Sequence, residues 1–537
     1  MKFSKSGPLI ATAAALAVLT GCSSATGAHK SGAGDDQNPV SGGTLVFSHD
    51  TDPACIDPQQ AANWSLDLGR NIVDSLLDQN SETFEFTPWL ASAYEANPTG
   101  TEFRFTIRDG VTFSDGTPLT ADVVKANFDS IKNDLGAKAT YVVGVFSSYL
   151  ESVVEDNKVT VRFSSPNFPF IQAVSSPSTG ILSAATLAKS PEARCQGAVV
   201  GTGPFVLDHY TPAAEVVLNK RNGYNWTSQN ASHSGDAYLD SLKIQIVTEA
   251  SVRDGSLLSG QVDGIRNPTE AQQATFSSSP FQSFTRPNPG IASSIDWNYK
   301  NSAIQDKNVR LAVLKGIDRS ELQATVLGTH GLAATSILTS STNGFTDHSD
   351  LLTYDRDGAA KLLEQSGWKP GSNGIREKDD SPLTIKGLFF DYQKPIAELQ
   401  AQQLAKIGVK LDISLTTAAN VGEKWLSGSY DFFQHANTAA DPDILRGWFL
   451  TSLTSPARNF TETTTDLDRL LEQQPAVSNG PERDAIIDEI QTIVLQNAYA
   501  VPINQSVNVF AFSDQIHGVV LDAQSSSRFY DTWKVAK

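Results

Sequence analysis

From Glu102 the chain runs Glu-Phe-Arg-Phe-Thr-Ile-Arg-Asp-Gly-Val-Thr-Phe-Ser-Asp-Gly-Thr-Pro, and this block narrows the folds open to it. Phe103, Phe105 and Ile107 alternate with polar neighbours, the period of a half-buried strand. Asp109-Gly110 is a tight-turn pair, so Val111 and Phe113 are expected to begin a return strand. Asp115-Gly116 turns the chain again, and Thr120 should cap a helix whose inner side carries Val124, Phe128 and Ile131. The same switch of period recurs later. A helix is expected over Asp355–Ser366, with Ala359, Leu362 and Leu363 on one face and Gly367 as its stop. Pro395 opens another, facing inward with Ile396, Leu399, Leu404 and Ile407 and ended by Gly408. Val409, Leu411 and Ile413 then alternate as a strand. Strands and helices interleaved in this way predict α/β or α+β lobes and exclude an all-helical fold.

The N-terminus reads differently. Lys2 and Lys5 precede an apolar stretch from Leu9 to Leu19, the pattern of a secretory signal. It is too short to span a bilayer core of roughly 30 Å. It ends in Leu19-Thr-Gly-Cys22, which resembles the lipobox of bacterial lipoproteins, where the cysteine becomes the lipid-carrying first residue. Residues 1–21 are therefore expected to be a signal peptide. Residues 22–41, rich in Ser, Gly and Ala, are expected to be a lipid-anchored flexible tether. Order begins at Gly42-Gly43-Thr-Leu-Val-Phe.

Removing residues 1–21 leaves 516 of 537, more than one hydrophobic core usually organises, so two or more lobes are expected. The formal net charge of −18 argues against nucleic acid, whose phosphates need clustered Lys and Arg. Three cysteines occur: Cys22, Cys55 and Cys195. With Cys22 lipidated, Cys55 and Cys195 remain in an oxidising compartment, where pairing is the default expectation.

Longer motifs then carry a family resemblance. Thr87–Glu95 followed by Phe103–Val124 resembles the signature of ABC-importer solute-binding proteins of family 5, the class that carries oligopeptides, dipeptides and nickel chelates. Gly201–Phe205, Leu218–Tyr224, Leu258–Asp263, Asn308–Arg319 and Leu362–Trp368 follow in the family's order. The resemblance runs from about residue 42 to the end. It implies an α/β, two-lobed periplasmic-binding-protein clamshell, type II-like, of the large peptide-binder class with an extra subdomain. Lobe 1 would combine 42–80, 198–293 and 508–537, with 81–197 as its subdomain, and 294–507 would form lobe 2. Cys55 and Cys195 would then both lie near the boundary between lobe 1 and its subdomain.

The resemblance also implies a cleft, with Trp64, Tyr392, His435, Asn437, Thr438 and Asp441 as candidate ligand contacts. In peptide-binding relatives an acidic residue shortly before the Asp-Pro pair holds the ligand's α-ammonium. Aligned on Asp441-Pro442, that position is Thr438 here, and Asp441 or Asp443 is left to take over the role. A peptide is the leading solute, with a nickel or other metal chelate, an opine or a saccharide as alternatives. No cofactor or bare metal site is expected.

The implied partners are a membrane permease with its ATPase, and the membrane itself only through the anchor; the protein is expected to be a monomer. A secreted hydrolase is the competing class. Gly-x-Ser-x-Gly, His-Glu-x-x-His and phosphate-loop motifs are absent, and the eight histidines are scattered, so no enzyme is expected. A ligand sensor remains a third class that sequence does not separate from a transport receptor.

Overall fold

The protein is described here from a computed structural model covering residues 38–60, 66–417, 420–453 and 465–535. Trp64 and Cys22 lie outside the described residues. From Val40 onward the chain forms one compact unit.

Two large sheets organise it. The first has seven strands, in the order Phe281–Pro287, Val507–Ser513, Gly264–Arg266, Thr44–His49, Ser241–Ile246, Glu215–Lys220 and Phe205–Thr211. Its centre is parallel, Thr44–His49 pairing with Ser241–Ile246 and with Gly264–Arg266. The second has six, in the order Leu332–Ala333, Ala500–Gln505, Gly290–Trp297, Phe432–Thr438, Thr384–Phe390 and Lys410–Thr416. Here Thr384–Phe390 runs parallel to both Lys410–Thr416 and Phe432–Thr438. Each sheet has its own hydrophobic core. A four-stranded antiparallel sheet built from residues 91–163 shares the core of the first.

The chain passes between the large sheets twice, at neighbouring points. Phe281–Pro287 ends in the first sheet and Gly290–Trp297 begins in the second; Ala500–Gln505 and Val507–Ser513 make the return. Pro287 pairs with Val507 on one side of the crossing, and Ser293 with Asn504 on the other. Asn288 N donates to Ser506 O between them, at 2.8 Å. Gly290 has φ +115°, and a Cβ there would lie 2.3 Å from Asn437 O, so the crossing requires glycine. Two cores joined by two adjacent crossings make a two-lobed fold with a hinge.

Local expectations fare unevenly. In Glu102–Ile107 the alternating Phe103, Phe105 and Ile107 are buried as read. Thr120 caps Ala121–Ser130 by accepting from Val123 N, and Asp355 caps Arg356–Gln365 by accepting from Gly358 N. The return strand at Val111 does not form. Val111 and Phe113 are buried, but they flank a tight loop closed by one isolated bridge, Thr112 to Pro118. The strand Glu102–Ile107 pairs instead with Ala91–Ala96 and Lys158–Phe163. In helix Lys394–Ala405 the buried face includes Gln400 and Gln403, while Ile396 and Leu399 are only half-buried. Amide partners permit this: Gln400 Nε2 donates to Gln434 Oε1 at 2.7 Å, and Gln403 Nε2 to Asp318 O at 3.0 Å.

Candidate functional site

In open α/β sheets, ligand sites form beyond the carboxyl ends of the parallel strands. In the first sheet those ends are His49, Ile246 and Arg266. The Arg266 guanidinium organises the edge, with Nη1 3.2 Å from His49 Nε2 and from Asp50 Oδ1, and Nη2 donating to Asn508 Oδ1 at 3.0 Å. Asn267 Nδ2 donates to Asp50 Oδ2 at 2.8 Å. Burial works against the Asp50 charge, but Arg266, His49 and Asn267 outweigh it and hold the carboxyl at about 2. A small hollow lies beside this edge, its walls mostly apolar and His49 and Asp67 among its polar members.

At the corresponding edge of the second sheet, aromatic rings form a continuous row. Tyr392 stacks on Phe390 with centroids 5.5 Å apart and planes at 9°. Phe390 tilts against Phe433 at 5.3 Å, and Phe433 stacks on His435 at 4.4 Å. His435 in turn meets Trp448, from helix Ile444–Phe449, at 4.8 Å. Strand alternation explains the alignment. Phe433, His435 and Asn437 share one face of Phe432–Thr438, while Gln434 points to the other and meets Gln400. Asp296, from the neighbouring strand Gly290–Trp297, places Oδ2 3.4 Å from His435 Nε2. Tyr392 is 77% exposed, yet the protein around its hydroxyl disfavours the phenolate and pushes it up to about 12.

Tyr392, His435 and Asn437 are thus brought together, with Thr438 at the end of the same strand, paired with Gly290. Asp441 belongs to a different constellation. Both its oxygens are held by Arg483, of helix Pro481–Gln496, at 2.6 and 3.0 Å. Asp443 is held by Arg446 at 2.7 and 2.6 Å and accepts from Gln474 Nε2. Burial pushes the Asp443 carboxyl up even against Arg446. Cys55 and Cys195 are joined as a disulfide. Among the described residues, no group of three or more His, Cys, Asp or Glu side chains could hold a metal ion.

Sequence reasoning did not single out Phe390, Trp448, Asp296 or the Arg266 cluster; Phe433 lies within the stretch 430–443 that the family resemblance places near the cleft. Only Asp296 carried a signal, as a carboxylate inside the otherwise uncharged run Gly290–Trp297. The second-sheet edge offers flat apolar surface with a few polar groups around it. Such a surface suits gripping a solute of mixed polarity.

Comparison with known proteins gives a concordant picture. The oligopeptide-binding protein OppA of Mycobacterium tuberculosis is 25% identical over 437 residues, covering 76% of this chain and 69% of the relative. NikA from Brucella suis, solved with Fe(III)-EDTA, superposes with a TM-score of 0.78 at 19% identity, over 92% of this chain and all of that one. AppA from Bacillus subtilis, solved with a nonapeptide, gives 0.76 at 18% identity, over 93% of this chain and all of that one. These likenesses establish the two-lobed clamshell. The model of the bacterial extracellular solute-binding proteins, family 5, in its middle region, matches residues 85–458. The chain belongs to that family.

Proposed function

We propose that this protein is the lipid-anchored receptor of an ABC importer, and that it captures a peptide by closing its lobes around it and hands it to a membrane permease and ATPase. Proteins of this family are extracytoplasmic solute binders that serve such importers. No helix among the described residues is long and apolar enough to cross a membrane. The observation that carries the peptide reading is the row from Tyr392 to Trp448, open to solvent at the Tyr392 end and bordered by the exposed amide of Asn437.

Peptide binding by the Mycobacterium tuberculosis and Bacillus subtilis relatives supports it. The manner of grip would differ from a salt bridge to the peptide's first residue. Thr438 brings a hydroxyl to the position where such relatives carry an acid, and Asp441 and Asp443 already hold guanidinium partners. The peptide would therefore be held through its backbone and through stacking on the rings. Closure would be driven by the peptide's tighter binding to the shut form than to the open one.

Cys22 would carry the lipid, because it ends a secretory leader at a lipobox-like site. Palmitate labelling that disappears in Cys22→Ala checks this. Native mass spectrometry of protein purified without denaturation tests the solute. Recovered peptides are the expected result; a metal chelate, an opine or a saccharide overturns it. Loss of peptide uptake in a deletion strain separates the transport receptor from a sensor.

A further inference from the structure

The chain joins the two lobes at the paired crossings beside Gly290, and the lobes touch again elsewhere. Phe168 N donates to Pro475 O at 2.9 Å. Phe168 packs against the core of the first sheet, its ring 6.1 Å from that of Phe103. Pro475 follows helix Thr465–Gln473, whose Leu467, Leu470 and Leu471 lie in the core of the second. A bond between bodies that share a hinge forms or breaks when one swings against the other.

Both halves of the contact are held in place by their own lobe. On the first, Asn167 N donates to Gly100 O and Asn167 Nδ2 to Val145 O, each at 2.8 Å. A Cβ at Gly100 would lie 2.7 Å from the Phe168 ring, so glycine is what lets the ring seat there. Phe168 immediately precedes helix Pro169–Ala173, which offers its N–H no acceptor and leaves it for an outside one. On the second lobe, Gln474 is fully buried. Its Oε1 accepts from Arg483 Nε and Nη2 at 3.1 and 2.7 Å, and its Nε2 donates to Asp443. Asp441 fixes Arg483 in turn. Asp443 leads into helix Ile444–Phe449, which carries Trp448, so the same constellation ties the contact to the inner end of the ring row.

We propose that Phe168 and Pro475 form a latch for the shut protein, and that Gln474, backed by Arg483 and Asp441, is the positioning residue that aims the Pro475 carbonyl. In the open form water satisfies both groups, so the latch is reversible. One net backbone hydrogen bond shifts such an equilibrium roughly fivefold. The latch adds this bias to whatever preference a solute has for the shut form, and it does so without touching the solute. It rests on lobe closure in the receptor reading, and not on which solute is held.

The test uses the full chain carrying Cys22→Ala, stripped of co-purifying solute, with Pro166→Cys and Ala476→Cys as reporters. Both positions are exposed and flank the contact. Bis-maleimidohexane is expected to join the two thiols, and small-angle scattering is expected to show a smaller radius of gyration after joining than before. In the same background Phe168→Pro lacks the N–H yet fits the native φ of −59°, whereas Phe168→Leu keeps the donor. Joining is expected to be roughly fivefold slower in Phe168→Pro than in Phe168→Leu. Gln474→Met is expected to slow it likewise, with native circular dichroism. Failure to join, an unchanged radius, or equal rates in the Pro and Leu variants overturns the latch, and an unchanged rate in Gln474→Met overturns the positioning role. Should Phe168→Pro fail to fold, joining and radius still decide. A casein digest is expected to speed joining. If the digest binds without speeding it, the latch falls; if the digest does not bind, the peptide reading falls while joining and compaction uphold the latch.

Discussion

Arg483 grips both carboxylate oxygens of Asp441, at 2.6 and 3.0 Å, from a side chain only 1% exposed. Gln474 Oε1 accepts from the same guanidinium at 2.7 Å, so helix Pro481–Gln496 is tied to the loop that follows Phe432–Thr438. Removing one partner from a buried pair strands the other charge. Arg483→Met is therefore expected to cost about 3–5 kcal/mol in urea unfolding. Asp441→Asn combined with Arg483→Met should recover part of that loss, because no unmatched charge remains. A single variant as stable as wild type would show the pair to be open to water.

The ring row separates binding from stability. Tyr392 is mostly exposed and contributes little to the core, so Tyr392→Ala should leave melting of the ligand-free protein nearly unchanged. It is expected to weaken affinity for the co-purifying solute about tenfold, or about 1.4 kcal/mol. His435 is stacked on one side by Phe433 and met on the other by Trp448. His435→Ala should weaken binding and also cost about 1–2 kcal/mol of stability from those two ring contacts. Titration calorimetry and differential scanning calorimetry read the two quantities independently. Unchanged affinity in both variants removes the row from the binding surface.

Asp74 makes stability depend on pH. It is fully buried, accepting from Tyr224 Oη at 3.3 Å and Trp226 Nε1 at 2.9 Å, and burial raises its carboxyl from 3.8 to about 6 against those bonds. Below 3.8 both folded and unfolded chains hold the proton. Between 3.8 and 6 the unfolded chain releases it while the folded chain keeps it, so stability falls as pH rises and levels off above 6. The fall is about 3 kcal/mol. Other carboxylates titrate with the opposite sign, so the measurement is the difference between wild type and Asp74→Asn across pH 4–7. The variant is expected to gain relative stability toward the neutral end. A pH-independent difference would mean that Asp74 titrates normally.

The disulfide closes a separation of 140 residues. Cys55→Ser with Cys195→Ser is expected to lose about 2–5 kcal/mol. The variant should still fold, because other bonds hold the same junction. Ile56 N donates to Cys195 O at 3.0 Å, Arg194 Nε lies 2.7 Å from Asp57 Oδ2, and Arg194 Nη2 donates to Gln59 Oε1 at 2.8 Å. Circular dichroism of the reduced variant checks folding, and denaturant titration checks the loss.

Local periodicity made much of the fold legible. Phe103, Phe105 and Ile107, and the caps Thr120 and Asp355, obey rules that act within a few residues. The failures came where a distant partner decides. Val111 looked like a strand residue, but strands from residues 91–96 and 158–163 already occupy both edges of Glu102–Ile107. Gln400 and Gln403 were not among the residues read as the inner face of their helix; Gln434 and Asp318 supply the partners that let their amides be buried. The candidate site divides in the same way. Tyr392, His435 and Asn437 were named from family resemblance, and the structure sets Tyr392 and His435 in one row of rings with Asn437 on the His435 face of the same strand. The commitment of Asp441 to Arg483 was not, because 42 positions separate the two along the chain.

The crossing near Gly290 has a mechanical corollary. The two connecting ribbons are laddered to each other before and after they change sheets. Such a paired strap flexes across its width with ease and resists shear and torsion, as a door leaf on two aligned pins does. Bending of one half against the other across this strap is thereby expected to be easier than sliding or twisting.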